Sequence, residues 1–201
     1  MAQEQTTPAL APAFSAPVFD AAQAFRALLT AISRPGTIRT VDAPENPPAP
    51  LRRAMAAAIL TLCDFDTPIW LSPSYAEATG TWCNFHVGAP RVRDPAKAAF
   101  LFAPLREAPS LLALEAGSEA YPDRSATLVL ECDVVGDGAQ HTLTGPGIPS
   151  KRLFASDALT TDFLALWKWN QARFPRGVDV VLTCGDRLAG LPRTTQIRAG
   201  G

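Results

Sequence analysis

Proline and glycine interrupt this chain wherever its hydrophobic pattern changes period, and that punctuation restricts it to short elements. The 201 residues include 19 prolines and 13 glycines, which rules out long uninterrupted helices and long strands. Pro35-Gly36 stops a helical pattern that starts with Asp20 as its cap and repeats Phe25, Leu28, Leu29 and Ile32. Residues 37–41 then read as a short strand and the proline-rich stretch 43–50 as a loop. An Ala-rich helix follows over 51–63, with Met55, Ile59 and Leu62 as its buried stripe. Pro68 leads a buried strand over 67–71, and 74–85 fits a helix or a loop. Further on, 98–102 reads as a strand and 108–116 as a short helix closed by Gly117.

The second half continues the alternation. The β-branched segment 126–135 predicts a strand that pairs with 141–144 through the turn Gly136-Asp137-Gly138. The strongest helix spans 157–173, capped by Asp157, with Phe163, Leu164, Leu166 and Trp167 on its apolar side. A last hairpin joins 178–183 to 188–192 through Cys184-Gly185-Asp186. Helices interspersed with short strands and hairpins predict an α/β or α+β architecture, a mixed sheet flanked by helices. Residues 1–17, interrupted at Pro8, Pro12 and Pro17, read as a mobile arm, and 18–201 as a single domain without internal repeat.

Charge and cysteine usage narrow the function classes. Eighteen Lys+Arg against 19 Asp+Glu give a net charge of −1, without the basic excess of a nucleic-acid binder or a polybasic membrane protein. No run of apolar residues is long enough to cross a bilayer. The first 17 residues carry no Lys or Arg, unlike a secretory signal, and Cys63, Cys83, Cys132 and Cys184 are scattered as free thiols would be. These features together predict a cytoplasmic protein.

No residue pattern supplies a complete active site. Cys83 and His86 have the spacing of two zinc ligands, but no third or fourth ligand is near in sequence; a buried Cys and a hydrogen-bonded His are the simpler reading. No serine has a nucleophile-elbow context, and Cys184 at a strand end lacks a feature that would activate it. Only Lys97, Lys151 and Lys168 stand beside fifteen arginines, and none is placed as a Schiff-base lysine, so no pyridoxal phosphate is expected.

Three arginine-bearing turns fit anions better: Ser33-Arg34-Pro35-Gly36, Ala89-Pro90-Arg91 and Leu191-Pro192-Arg193-Thr194-Thr195. Arginine forks match phosphate or carboxylate oxygens, and threonine hydroxyls add donors. The turn Thr144-Gly145-Pro146-Gly147-Ile148 presents backbone N–H groups that an anion would accept. Arg34, His86, Arg193 and Thr194 would then make a substrate-binding group, with His86 as its acid–base member. The competing reading gives each arginine a structural ion pair or helix cap. Asp64-Phe65-Asp66 suits a cation less well than it suits loose backbone N–H groups. Trp167, Trp169 and Phe174 read as core or subunit interface.

Taken together and in order, these segments resemble one family. Phe25-Arg26, Ser33-Arg34-Pro35-Gly36, Asp64-Phe65-Asp66-Thr67-Pro68-Ile69-Trp70-Leu71, Asn84-Phe85-His86, Thr144-Gly145-Pro146-Gly147-Ile148, Phe174-Pro175 with Asp179 to Gly185, and Pro192-Arg193-Thr194-Thr195 are similar to those of the PhnH family of the bacterial carbon–phosphorus lyase system. The resemblance runs from about Asp20 to Thr195. It implies a fold like a shortened pyridoxal-phosphate-dependent transferase without the cofactor, and a homodimer that joins the G, I and J subunits. It further implies a part in transferring an alkylphosphonate onto the ribose of ATP with release of adenine, as an essential subunit that is not catalytic alone. The alternative is a chain that itself binds the phosphonate or nucleotide, or adds a catalytic residue. A third reading is a vestigial enzyme that still binds pyridoxal phosphate. The family supplies no catalytic residue to carry over, and this chain differs from it in a longer Pro/Ala-rich arm.

Overall fold

The computed structural model describes residues 13–42 and 44–200. In chain order its elements are α1 (Pro17–Ser33), β1 (Arg39–Thr40), α2 (Arg53–Leu62), β2 (Ile69–Leu71), α3 (Pro73–His86), β3 (Phe100–Pro104), β4 (Thr127–Glu131), β5 (His141–Thr144), β6 (Arg152–Phe154), α4 (Thr161–Ala172), β7 (Asp179–Cys184), β8 (Arg187–Leu191) and β9 (Gln196–Ala199). Strands β2, β3, β4 and β7 are almost wholly apolar, as parallel strands covered on both faces must be, and they pair in parallel. The hairpin partner β8 adds antiparallel to β7, and β1 antiparallel to β8, giving a six-stranded mixed sheet in the order β1-β8-β7-β4-β3-β2. The expected mixed sheet flanked by helices is therefore present, in one domain.

Alternation along the strands divides the core in two. Phe102, Val129, Val181 and Leu188 point to a face covered by α1, α2 and α3. Leu101, Leu128, Leu130, Val180, Leu182 and Leu191 point to the opposite face, where Trp167 of α4 and Leu143 and Phe154 of a second sheet close over them. That second sheet is three-stranded and antiparallel, in the order β6-β5-β9. Helix α1 lies directly on β8 because Gly190 has no side chain: a Cβ there would stand 2.6 Å from the Ala31 carbonyl oxygen.

Several local expectations change in the structure. Helix α1 begins at Pro17, and Ala24, Ala27, Leu28 and Ala31 make its buried stripe. Phe25 and Leu29 point outward at 50% and 54% exposure, while the small side chain of Ala31 lies where the helix comes closest to Gly190. Of the expected arm, residues 1–12 lie outside the described residues, while Ala13 and Phe14 pack partly buried against the first core. Segment 74–85 is helical, inside α3. The expected 108–116 helix is reduced to one short 3-10 turn, Leu111–Ala113, because Pro109 interrupts the pattern near its start; a separate turn, Leu105–Glu107, precedes it. The hairpin of 126–135 with 141–144 does not form. Both edges of β4 are taken by β3 and β7, and β5 instead joins the second sheet. Thr160, not Asp157, caps α4, accepting from the Phe163 N–H at 3.2 Å; the Asp157 carboxylate accepts from the N–H groups of Asp133 and Val134.

Candidate functional site

Two of the three arginine turns come together at one side of the molecule, joined through the glycine turn 144–148. Gly147 sits so close to the end of α1 that a Cβ would meet the Ser33 carbonyl oxygen, and a Cβ on Gly145 would stand 2.8 Å from the Thr194 carbonyl oxygen. The turn is thus packed on protein backbone. Arg152 fastens the same corner, its Nη1 donating to the carbonyl oxygens of Arg34 and Pro35 and to Thr37 Oγ1. The Arg34 side chain is exposed.

Arg193 is engaged at every guanidinium nitrogen. Nε donates to Asp179 Oδ1 at 3.1 Å, Nη1 to the Pro122 carbonyl at 2.8 Å, and Nη2 to Ser125 Oγ and to Asp179 Oδ2. Its backbone N–H also donates to Asp179 Oδ1, at 2.7 Å. Thr194, half-buried, lies beside it at the end of a groove along α4. His86 is elsewhere, at the last position of α3 near the β2 edge of the sheet, in ring contact with Trp82 and Phe85. The structure groups Arg34, Arg193 and Thr194 around the packed glycine turn and leaves His86 outside that group.

The other sequence candidates are accounted for locally. Asp64 accepts from the Asp66 N–H at 3.0 Å and from Thr67 Oγ1 at 2.6 Å, and these bonds hold its carboxyl below the usual range. The Arg91 guanidinium lies against Gly80 of α3. Cys83 is buried, and burial pushes its thiol up to about 11. Among the described residues no group of three or more His, Cys, Asp or Glu is placed to hold a metal. Trp167 is buried, stacked on Phe163 at 5.7 Å, whereas Trp169 and Phe174 are exposed.

The residues with the most unusual environment are ones the sequence reading missed. At the carboxyl ends of β3 and β4 a crevice of about 390 Å³ is walled by Pro50, Pro104 and Leu105 and holds Arg52, Tyr75, Arg106, Glu131, Asp133 and Asp157. Carboxyl ends of parallel strands are where open α/β sheets place ligands, because the sheet leaves its helix N-termini and loops free there. Glu131 is the last residue of β4, with its side chain only 7% exposed. One oxygen, Oε1, accepts from the Gly185 N–H at 3.2 Å and faces Arg52 Nη1 at 3.7 Å. The other, Oε2, is buried without a hydrogen-bond partner. Burial pushes this carboxyl up to about 7, against the pull of the Gly185 N–H, of Arg52 and of the nearby Thr183 hydroxyl, whose proton goes to the Leu130 carbonyl. A buried carboxylate short of partners is costly, and protonation relieves that cost.

Arg52, at the N-cap of α2, spans the mouth: it also donates to the Cys132 carbonyl and to Asp133 Oδ1, each at 3.3 Å. Burial pushes the Tyr75 phenol up, so it stays a neutral hydroxyl. Glu107 beside the crevice accepts from the Ser74 N–H and is held low by that bond. The site therefore offers a carboxyl able to give up a proton near neutrality beside a half-exposed arginine. The signal in the sequence was a lone acid ending an otherwise apolar strand.

With fold and crevice described, the class is that of bacterial phosphonate metabolism proteins: residues 12–198 match the family model for "Bacterial phosphonate metabolism protein (PhnH)". The chain belongs to the PhnH family. It is 42% identical over 188 residues to the alpha-D-ribose 1-methylphosphonate 5-triphosphate synthase subunit PhnH of Rhizobium meliloti (strain 1021), covering 92% of this chain and 94% of that protein. It is also 32% identical over 186 residues to the putative C-P lyase subunit protein HtxG of Stutzerimonas stutzeri, covering 89% and 86%.

Proposed function

We propose that this chain is a subunit of a carbon–phosphorus lyase system, in the complex that joins an alkylphosphonate to the ribose of ATP and releases adenine. The observation that carries this reading is the nearly end-to-end match to a relative named as a subunit of the corresponding synthase. In this reading the chain is a cytoplasmic homodimer that joins the G, I and J subunits and is essential without being catalytic alone. Its fold would be a shortened relative of the pyridoxal-phosphate-dependent transferases that works without the cofactor. Exposed apolar residues on α1, Val18, Phe19, Phe25 and Leu29, suit a chain whose surface is covered on assembly. Co-expression with the G, I and J subunits should yield a stable hetero-oligomer by light scattering, and deleting the chain should abolish growth on methylphosphonate as phosphorus source. A chain that stays apart from all three, in a host that grows without it, would overturn the reading.

A second reading is favoured by the crevice. Arg52 would steady an anionic substrate, and the protonated Glu131 carboxyl would give its proton to the departing adenine nitrogen as a phosphonate oxygen bonds the ribose carbon. Glu131→Gln in the assembled complex should then lower kcat while leaving assembly intact. Unchanged turnover would remove Glu131 from the chemistry. Arg34, His86, Arg193 and Thr194 enter a substrate site only if Arg193→Ala lowers turnover without loosening the complex.

A further inference from the structure

A cavity of about 930 Å³ lies between α4 and β9 on the face opposite α1. All four residues of β9 line it. Side chains alternate along a strand, so a groove that touches four in succession runs along the strand's edge. Strand β9 is an edge strand, paired only with β5. The Gly200 N–H donates to the Gln140 carbonyl, which sets the antiparallel alternation. Arg198 and Gln196 therefore turn their backbone groups toward β5, and Ile197 and Ala199 turn theirs away. No hydrogen bond among the described residues uses the outward N–H and C=O groups of Ile197 and Ala199.

The opposite wall is one side of α4. Leu164, Trp167 and Phe174, together with Ile197, give the groove an apolar floor, and Lys168 and Arg198 stand exposed at its rim. No Asp or Glu lines it. Neither Lys168 nor Arg198 has an ion pair among the described residues, whereas Arg193 at the groove's end is already taken by Asp179. An unpaired strand edge, an apolar floor and a one-sign rim are the elements of strand addition, in which main-chain bonds give affinity and alternate side chains give specificity. A rim of unpaired cations selects an acidic partner.

We propose that this edge receives an extended, acidic segment of a partner subunit, which adds as a fourth strand beside β9 and lays its apolar side chains against α4. The proposal rests on the subunit reading and specifies where a partner engages. It is tested on the full chain, alone and co-expressed with the G, I and J subunits, by hydrogen exchange of segment 196–200. In the complex the amides of Ile197 and Ala199 should exchange at least roughly tenfold more slowly than in the chain alone.

Ala199→Pro removes an outward N–H without touching the β5 ladder, which an edge strand tolerates. Together with the charge-reversed pair Lys168→Glu, Arg198→Glu, it should weaken partner retention by roughly tenfold or more while the melting temperature of the isolated chain is unchanged. If assembly occurs and these amides exchange as before, this inference fails and the subunit reading stands. If the wild-type chain joins no partner, both fail. Protection of the isolated chain that vanishes on dilution would assign the edge to a second copy. Protection by ATP or methylphosphonate alone would assign it to a small ligand. Either result overturns the proposal.

Discussion

Arg193 with Asp179 and Arg52 with Glu131 are both arginine–carboxylate pairs, set at opposite ends of the same two parallel strands. Asp179 opens β7 opposite Thr127, and Glu131 closes β4 opposite Thr183. At the opening end everything is satisfied. The two side chains are 12% and 23% exposed, the carboxylate takes three donors from Arg193, and the guanidinium also ties down 122–125 and Pro175. At the closing end the arginine is 46% exposed, its nearest approach is 3.7 Å, and one oxygen of the acid has no partner. Complete pairing fixes three segments in place and leaves no donor for a ligand. Incomplete pairing leaves a carboxyl that titrates where cells operate. The first end is a clasp, and the second has the character of a site.

The difference is most easily broken at the clasp. Arg193→Ala should cost about 3 kcal/mol of unfolding free energy, because Asp179 keeps only the backbone N–H of residue 193 and the carbonyl of Pro122 loses its donor. The urea midpoint reads this directly, and a variant as stable as the wild type would show that the clasp is not one. Next comes Asn170, 1% exposed, whose side chain donates to the Val178 carbonyl at 2.9 Å and accepts the Val178 N–H at 2.8 Å. Asn170→Ala strands both backbone groups beside Asp179 and should cost about 2 kcal/mol by the same measurement.

At the crevice the expected effect depends on pH. The Glu131 carboxyl is raised from 4.5 to about 7 in the fold, so the folded state holds a proton that the unfolded chain has released. Its contribution is complete below pH 4.5 and is lost as pH rises through 7. Glu131→Gln cannot ionise and escapes that loss. Relative to wild type it should gain roughly 2 to 3 kcal/mol between pH 5 and pH 8, compared by denaturation at the two values. A constant difference across that range would place Glu131 in an ordinary, fully paired environment.

How far the sequence disclosed these two ends depends on what each end rests on. The hairpin of β7 and β8 was legible because its turn is local, and α2 because Met55 and Ile59 repeat at helical spacing and are fully buried. Phe25 and Leu29 misled because hydrophobicity alone cannot show that the close approach at Gly190 will turn the face carrying Ala31 inward instead. The hairpin expected between 126–135 and 141–144 failed for a non-local reason: β3 and β7 had already claimed both edges of β4. Arg193 was found as an arginine in a turn, but its partner Asp179 lies fourteen residues away. The closing end was invisible altogether. Arg52 reaches Asp133 across 81 positions, and only the parallel sheet brings the start of α2 to the end of β4.

The smallest expected effect isolates one of the causes that set the Glu131 carboxyl. Arg52 draws the Glu131 carboxyl down while burial pushes it up, and burial is the larger. Because Arg52 is nearly half exposed, water screens the pair, and Arg52→Ala should change stability by less than about 1 kcal/mol. Its effect on titration should still be visible. With the guanidinium gone, burial acts against one fewer opponent, so the Glu131 midpoint should rise above 7, read from the carboxyl carbon in NMR of glutamate-labelled chain. Arg52→Lys should return it part of the way, since an ammonium restores the charge without the fork. A midpoint unmoved by Arg52→Ala would mean that burial, the Gly185 N–H, the Thr183 hydroxyl and the Asp133 charge set this carboxyl without the arginine. A midpoint that fell would contradict the pairing of Arg52 with Glu131.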